Sequence, residues 1–315
     1  MYGASIGQSF GVRIGSFLGR QIVLGACRED PDDFQKRPMP PLGARLPKNV
    51  DLRPWSTPVE DQGALGSCTA NALASAIEYL VRRTSGDAGD VSRLFVYFQQ
   101  RLWDGSVRED VGASIADGIR VLHHLGVPPE RAWPYQRELF AVQPPEGVYA
   151  LAEQHQIADW WSIDVDADAL RACLARGFPV TFGTRVTGSF LRPGRDGVIP
   201  MPGAGDRDDA RHGRHALLLM GYDDARRSFL VRNSWGEDWG DRGHCWMPYA
   251  YVANRSWTRG CWAIRASEAT ELEPLHAIEA PRVTVSAPPS GGPGTTGGAS
   301  MAGTALGVGA QLAVG

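Results

Sequence analysis

The chain has 315 residues, 43% of them hydrophobic, which is enough apolar material for a sizeable core. Lys plus Arg number 32 against 35 Asp plus Glu, a formal net charge of −3, so neither a nucleic-acid binder nor an anionic-membrane binder is indicated. Five cysteines exclude a disulfide-dense secreted scaffold, and the odd count leaves at least one thiol without an intramolecular partner.

In chain order, the segment Met1–Ala26 is mildly apolar but is interrupted by Arg13 and Arg20. A secretory signal needs an unbroken apolar run after its charge, so no cleaved signal is expected, which leaves the cytoplasm as the default compartment or a non-standard export route. Arg28–Arg37 and the prolines Pro38, Pro40 and Pro41 read as an extended connector. From Cys68 to Arg83, Ala70, Leu73, Ala74, Ile77, Leu80 and Val81 recur at helical spacing, with Gly86 as the stop. Ser92–Leu102 is a second helix, with Leu94, Phe95, Phe98 and Leu102 inward. A third opens at Ser114, with Asp117 in the capping-box position, and closes at Gly126. A shorter helix covers Asp168–Arg176.

The pattern then turns to strands, over Phe178–Thr184, His215–Tyr222, Phe229–Asn233, Gly243–Pro248 and Gly260–Arg265, with a hairpin turn at Asp223–Arg227. Helices followed by antiparallel strands predict an α+β fold with a cleft between the two halves. Beyond Trp262 there is no aromatic residue, and beyond Arg282 no charge. Residues 269–315 therefore read as a flexible Gly/Ala/Pro-rich tail. Its Gly292-Pro293-Gly294-Thr295-Thr296-Gly297 matches a nucleotide-loop pattern but has no strand before it or amphipathic helix after it. The organisation expected is an extension over 1–45, a folded domain over 46–268 and the tail. No stretch is long and apolar enough for a membrane span, and a monomer is expected.

The chemistry begins at Cys68, in Asp61-Gln62-Gly63-Ala64-Leu65-Gly66-Ser67-Cys68-Thr69, where a glycine-rich turn enters a buried helix. The positive end of the helix dipole and unpaired N–H groups there favour thiolate. A cysteine nucleophile needs a base and a group that orients the base. His215 opens the apolar strand Ala216-Leu217-Leu218-Leu219-Met220, and the hairpin brings Asn233 beside it. Asn233 can hold one imidazole tautomer, and Trp235 can cover that hydrogen bond against water. His212 is a rival base in a less ordered, charged loop.

These motifs resemble the papain (C1) family of cysteine peptidases, in a divergent bacterial-type branch. Gln62 stands six residues before Cys68, His215 lies 147 after it, and Asn233 lies 18 after His215. Asp51-Leu52-Arg53 and Pro58-Val59-Glu60-Asp61-Gln62-Gly63 also resemble the start of the mature family domain. The resemblance spans roughly Leu46–Arg265 and implies a two-lobed fold, a helical lobe against an antiparallel sheet or barrel, with the active site in the cleft between them. It implies Cys68 as nucleophile, His215 as base then acid, Asn233 as its orienting group, and Gln62 with the Cys68 N–H as the oxyanion hole. It also implies a resting Cys68 thiolate with His215 imidazolium. Gly112 and Ala113 would form the edge that pairs with substrate backbone, and Ala216 would line a side-chain pocket.

Three departures stand out. Leu65 replaces a family cysteine, so one bridge of the helical lobe is absent; Thr69 replaces an aromatic; and Arg214 precedes His215, where its charge would disfavour imidazolium. Cys173 reads as core. Cys245 and Cys261 read as core thiols that could neighbour each other and form a disulfide, and Cys27, in the leading segment, could cap the active site or have no role, the latter being the expectation. No cofactor is implied, and no Cys/His cluster has zinc spacing. The expected function is a cysteine endopeptidase-like hydrolase acting on peptide or protein substrate, with residues 1–45 as a short propeptide. Acyl transfer on the same triad and a catalytically silent binding protein are the alternatives.

Overall fold

Residues 13–17, 20–42, 45–86, 89–194, 196–203, 206 and 213–265 are described by a computed structural model of the chain. The predicted tail with its glycine motif, the first twelve residues and His212 lie outside the described residues.

The helical half forms where the apolar spacing predicts it. Helix α1 (Cys68–Ser85) buries every residue from Cys68 to Val81, so it runs through the core with no solvent face over that length, and it ends at Gly86. Helix α2 (Arg93–Trp103) starts one residue after Ser92, whose hydroxyl accepts from the Phe95 N–H. Leu94, Phe95 and Phe98 point inward, but Leu102 is 48% exposed, correcting the inward assignment: α2 turns its last residues out of the lobe. Helix α3 (Ile115–His124) carries the capping pair at 3.0 Å from the Asp117 N–H to Ser114 Oγ, with the Ser114 hydroxyl returned to the Asp117 carboxylate at 2.6 Å. Helices α4 (Glu146–Ala152) and α5 (Ala167–Ala175) complete this part of the chain. Helix α4 gave no clear sequence signal because it is short and follows prolines.

The sheet half is antiparallel throughout. Strands β3 (Asn49–Asp51), β4 (Asp159–Ser162), β5 (Val180–Arg185), β6 (Arg214–Asp223), β7 (Ser228–Arg232), β8 (His244–Pro248) and β9 (Thr258–Arg265) form one seven-stranded sheet. Its order is β4-β9-β5-β6-β7-β8, with β3 paired to β6. A four-residue helix, α6 (Tyr249–Val252), separates β8 from β9. Central strand β6 is buried from His215 to Tyr222, and α1 lies against it. Because β8 and β9 sit at separate places in that order, Cys245 and Cys261 are not neighbours; both are free and buried, as is Cys173. The alternation across β6 and β7, set by the turn in which Asp223 accepts from the Ala225 and Arg226 N–H groups, brings the end of β7 alongside the start of β6.

The stretch with signal-like composition is partly folded: β1 (Arg13–Phe17) and β2 (Arg20–Leu24) form an antiparallel hairpin. None of the described helices is long and apolar enough to cross a membrane.

Candidate active site

Cys68 is the first residue of α1, fully buried, and the backbone N–H groups of Ala216, Thr69 and Cys68 itself are aimed at its sulfur. Its N-cap residue Ser67 makes no side-chain cap, so the N–H groups of the first turn are left for other partners. Ala216 follows His215 in β6, so the sulfur bonds the residue next to His215 in the chain. His215 Nε2 lies 2.8 Å from Asn233 Oδ1, and that oxygen also accepts from the Ser234 N–H at 2.8 Å. Two acceptor contacts on one oxygen make Nε2 the protonated nitrogen. Nδ1 is then the lone-pair nitrogen, buried and without a partner among the described residues. Trp235 covers the pair, its ring 4.7 Å from the imidazole at 30°. Phe190 and Trp239 close the shell behind Trp235 at 5.6 Å each.

Gln62 is 1% exposed and held on both sides of its amide. The Ser234 hydroxyl donates to Oε1 at 2.6 Å, and Nε2 donates to the Leu65 carbonyl at 2.9 Å. One N–H of that amide remains. Leu65, where the resemblance led us to expect a lost bridge, is instead buried in an apolar cluster with Leu94, Phe95, Trp133, Val148 and Ala152.

The cleft edge is occupied. The chain from Gly25 onward lies along it as a strap: the Ala113 N–H donates to the Ala26 carbonyl at 3.0 Å, and the Arg28 N–H donates to the Ala113 carbonyl at 2.9 Å. The Cys27 N–H donates to the Arg214 carbonyl at 3.2 Å, and Ala26 is fully buried. Glycine is required where the strap touches: a Cβ on Gly112 (φ +76°) would sit 2.0 Å from the Ala26 oxygen, and one on Gly183 2.6 Å from the Cys27 sulfur. Gly183 is the register partner of Ala216, so Cys27 fills the space beside the nucleophile, correcting the expectation that it has no role. Outside the cleft, Arg28 pairs with Asp104 and Glu29 with Arg214. Asp30 accepts from the Ala116 N–H at 2.9 Å and from Trp262 Nε1 at 2.8 Å.

Burial shifts both groups of the pair. Burial pushes the Cys68 thiol up to about 12, against the pull of the three N–H groups, and pushes His215 down to about 4, against its bond to Asn233. Burial thus disfavours both the thiolate and the imidazolium, opposite in direction to the ion pair that the resemblance implied. Arg214 does not act on the imidazole as expected, because its guanidinium is turned to Glu29 and the causes of the His215 shift are burial and Asn233.

A cation site is not offered by the carboxylates of Glu60, Glu78 and Asp90, which lie close together, because Arg232 fills the space with 2.8 Å to Glu60 Oε2. Of the predicted residues, Cys68, His215, Asn233, Gln62, Ala216 and Trp235 converge, and Gly112 and Ala113 line the occupied edge. Ser234 escaped sequence reasoning, because a serine inside a glycine-rich turn looks like turn chemistry.

Such a site, at the start of a central helix facing an antiparallel sheet, is that of a thiol hydrolase, and the comparisons give the family. The family model described as "Papain family cysteine protease" matches residues 46–257. The chain belongs to the papain family of cysteine peptidases, a family of hydrolases.

An uncharacterized peptidase C1-like protein of Acanthamoeba polyphaga mimivirus is 34% identical over 216 residues, 65% of this chain and 68% of that protein. Cathepsin K of Mus musculus is 28% identical over 215 residues, and the chain spans 60% of its length. Among solved structures, xylellain, a cysteine protease from Xylella fastidiosa, is similar with a TM-score of 0.71 and 37% identity, over 78% of this chain and 97% of that one. Procathepsin L 3 of the Tenebrio molitor larval midgut shares the fold, with a TM-score of 0.61 and 17% identity over 76% of this chain and 77% of that one.

Proposed function

We propose that this protein hydrolyses peptide bonds through Cys68, His215 and Asn233, with Gln62 completing an oxyanion hole, and that the extension over 1–45 holds it inactive until displaced. The observation that carries the reading is the 2.8 Å bond from His215 Nε2 to Asn233, which leaves Nδ1 as the lone-pair nitrogen of a residue whose strand neighbour Ala216 bonds the Cys68 sulfur.

With the strap gone, water reaches the pair and the burial cost on both charged forms falls, so the proton passes from Cys68 to His215 Nδ1. The thiolate attacks the carbonyl carbon of the substrate. The oxygen takes the negative charge between the free N–H of the Gln62 amide and the Cys68 backbone N–H, a donor pair of which each member lowers the barrier by about 2.7–4 kcal/mol. His215 returns its proton to the leaving amine, giving a thioester; it then takes a proton from water, whose oxygen displaces Cys68. Gly112, Ala113 and Ala216 bind the substrate backbone and one side chain, where Ala26 and Cys27 now lie. Trp235 keeps water off the His215–Asn233 bond.

The test uses the full chain with an unfolded protein substrate under reducing conditions, before and after limited proteolysis of the extension. Cleavage and labelling by a thiol-directed epoxide should appear after proteolysis and vanish in Cys68→Ala. Asn233→Ala should lose roughly 10²-fold in kcat, the low end of what a positioned base contributes. A treated chain that neither cleaves nor labels overturns the reading, and a ligated product in place of hydrolysis would shift it to acyl transfer.

A further inference from the structure

The turn from Gln62 to Ser67 joins the two donors of the oxyanion hole, the Gln62 amide and the N–H of Cys68 at the start of α1, and no strand or helix lies between them. What spans it is a side chain from a distant loop. The Tyr135 hydroxyl donates to the Gln62 carbonyl at 2.9 Å, and its oxygen lies 2.5 Å from Ser67 Oγ. The protons along this path have one consistent arrangement. Asn71 Nδ2 donates to Ser67 Oγ at 3.0 Å, Ser67 donates to Tyr135, and Tyr135 donates to Gln62. This is where the Ser67 hydroxyl goes instead of capping α1: a serine at a helix N-cap ordinarily accepts from an N–H of the first turn, and here it makes no such bond.

The ring itself is fixed. The Arg93 guanidinium lies 4.4 Å over it and also reaches Asn71 Oδ1 at 3.4 Å. The Tyr135 N–H donates to Glu130 Oε1, which faces Arg93 at 3.6 Å. The ring packs on the apolar cluster that holds Leu65, inside the same turn.

We propose that Tyr135 is a positioning residue of the oxyanion hole: by tying the Gln62 backbone to Ser67, the residue before Cys68, it fixes the spacing between the Gln62 amide and the Cys68 N–H. This rests on the oxyanion reading of Gln62 above. Tyr135 touches neither the sulfur nor the imidazole, so its loss acts on the developing oxyanion and leaves the nucleophile alone.

The experiment compares wild type, Gln62→Ala, Tyr135→Phe and Ser67→Ala, each prepared as the full chain and assayed after limited proteolysis of the extension, with rates expressed per site titrated by a thiol-directed epoxide. Tyr135→Phe keeps the ring and its stacking on Arg93. It should lower kcat about tenfold with KM within about twofold, a smaller loss than the 10²–10³-fold expected when a donor itself is removed. A peptide aldehyde, whose tetrahedral adduct uses the hole, should bind weaker by the same factor. Alkylation by iodoacetamide, which needs only the thiolate, should keep its rate and pH profile. Ser67→Ala should follow the same split and stands in if the phenylalanine variant does not fold. Wild-type kcat and aldehyde affinity in both variants beside an impaired Gln62→Ala, or an equal fall in alkylation rate, overturns the proposal. A fully active Gln62→Ala removes the oxyanion reading itself and this inference with it.

Discussion

Phe34 offers a way to open the strap without touching the catalytic groups. It is 7% exposed, stacked on Trp160 at 5.2 Å and 20°, and set edge-on to Trp262 at 4.9 Å and 76°. The Arg120 guanidinium stands 5.3 Å over the same ring and pairs with Asp33 at 2.8 Å. Truncating a buried Phe to Ala costs about 3–5 kcal/mol in a closed core. Here the ring sits on an outer segment, where water can refill the gap, so the low end applies. At 1.4 kcal/mol per factor of ten, about 3 kcal/mol shifts the docked-to-released ratio of the strap roughly a hundredfold. Phe34→Ala should therefore raise the initial rate of the full chain on a fluorogenic peptide by up to about two decades, saturating when every strap is released. Cleavage of the extension by a small amount of added protease should accelerate in parallel. If the extension becomes readily cut while peptide turnover stays at the wild-type level, the segment is not what silences the site, and the inhibitory reading fails.

Two further outcomes concern stability. His155 is 1% exposed with neither ring nitrogen partnered among the described residues, and burial holds it down at about 4. The unfolded chain takes up that proton near pH 6.5 and the folded chain only near 4, so the folded state loses roughly 1.4 kcal/mol per pH unit from this group as pH falls through that window. His155→Leu should flatten the decline of melting temperature between pH 6.5 and 4 without lowering it at pH 7; an unchanged acid slope refutes the assignment. Leu65→Ala should cost about 2–5 kcal/mol in denaturant unfolding, because Leu65 anchors the apolar cluster with Phe95 and Trp133 at the position where the resemblance implied an absent bridge. A loss below about 1 kcal/mol would show that the turn does not depend on that cluster.

The elements legible in the sequence were those in which one short-range rule dominates. Helix α1 announces itself through apolar residues at helical spacing and a glycine stop, α3 through the reciprocal Ser114 and Asp117 cap, and β6 through an unbroken apolar run. The order of Gln62, Cys68, His215 and Asn233 could likewise be read directly, because a thiol at a helix start and a polar ring at the mouth of an apolar strand are local anomalies. Strand β4 and helix α4 are too short to show a period, and Leu102 was misplaced because helical spacing says nothing about where a neighbouring element ends.

What only the tertiary structure decided was the state of the site. Burial disfavours the charged form of Cys68, and Ala26 and Cys27, some forty residues away along the chain, settle against the neighbouring edge left bare by Gly112 and Gly183. The same holds for Arg214, matched by Glu29, and for Tyr135, whose hydroxyl bridges two residues of a turn more than sixty positions earlier. Local residue chemistry names the groups that can react. Burial and charge pairing are sums over the whole fold, and they set whether those groups do.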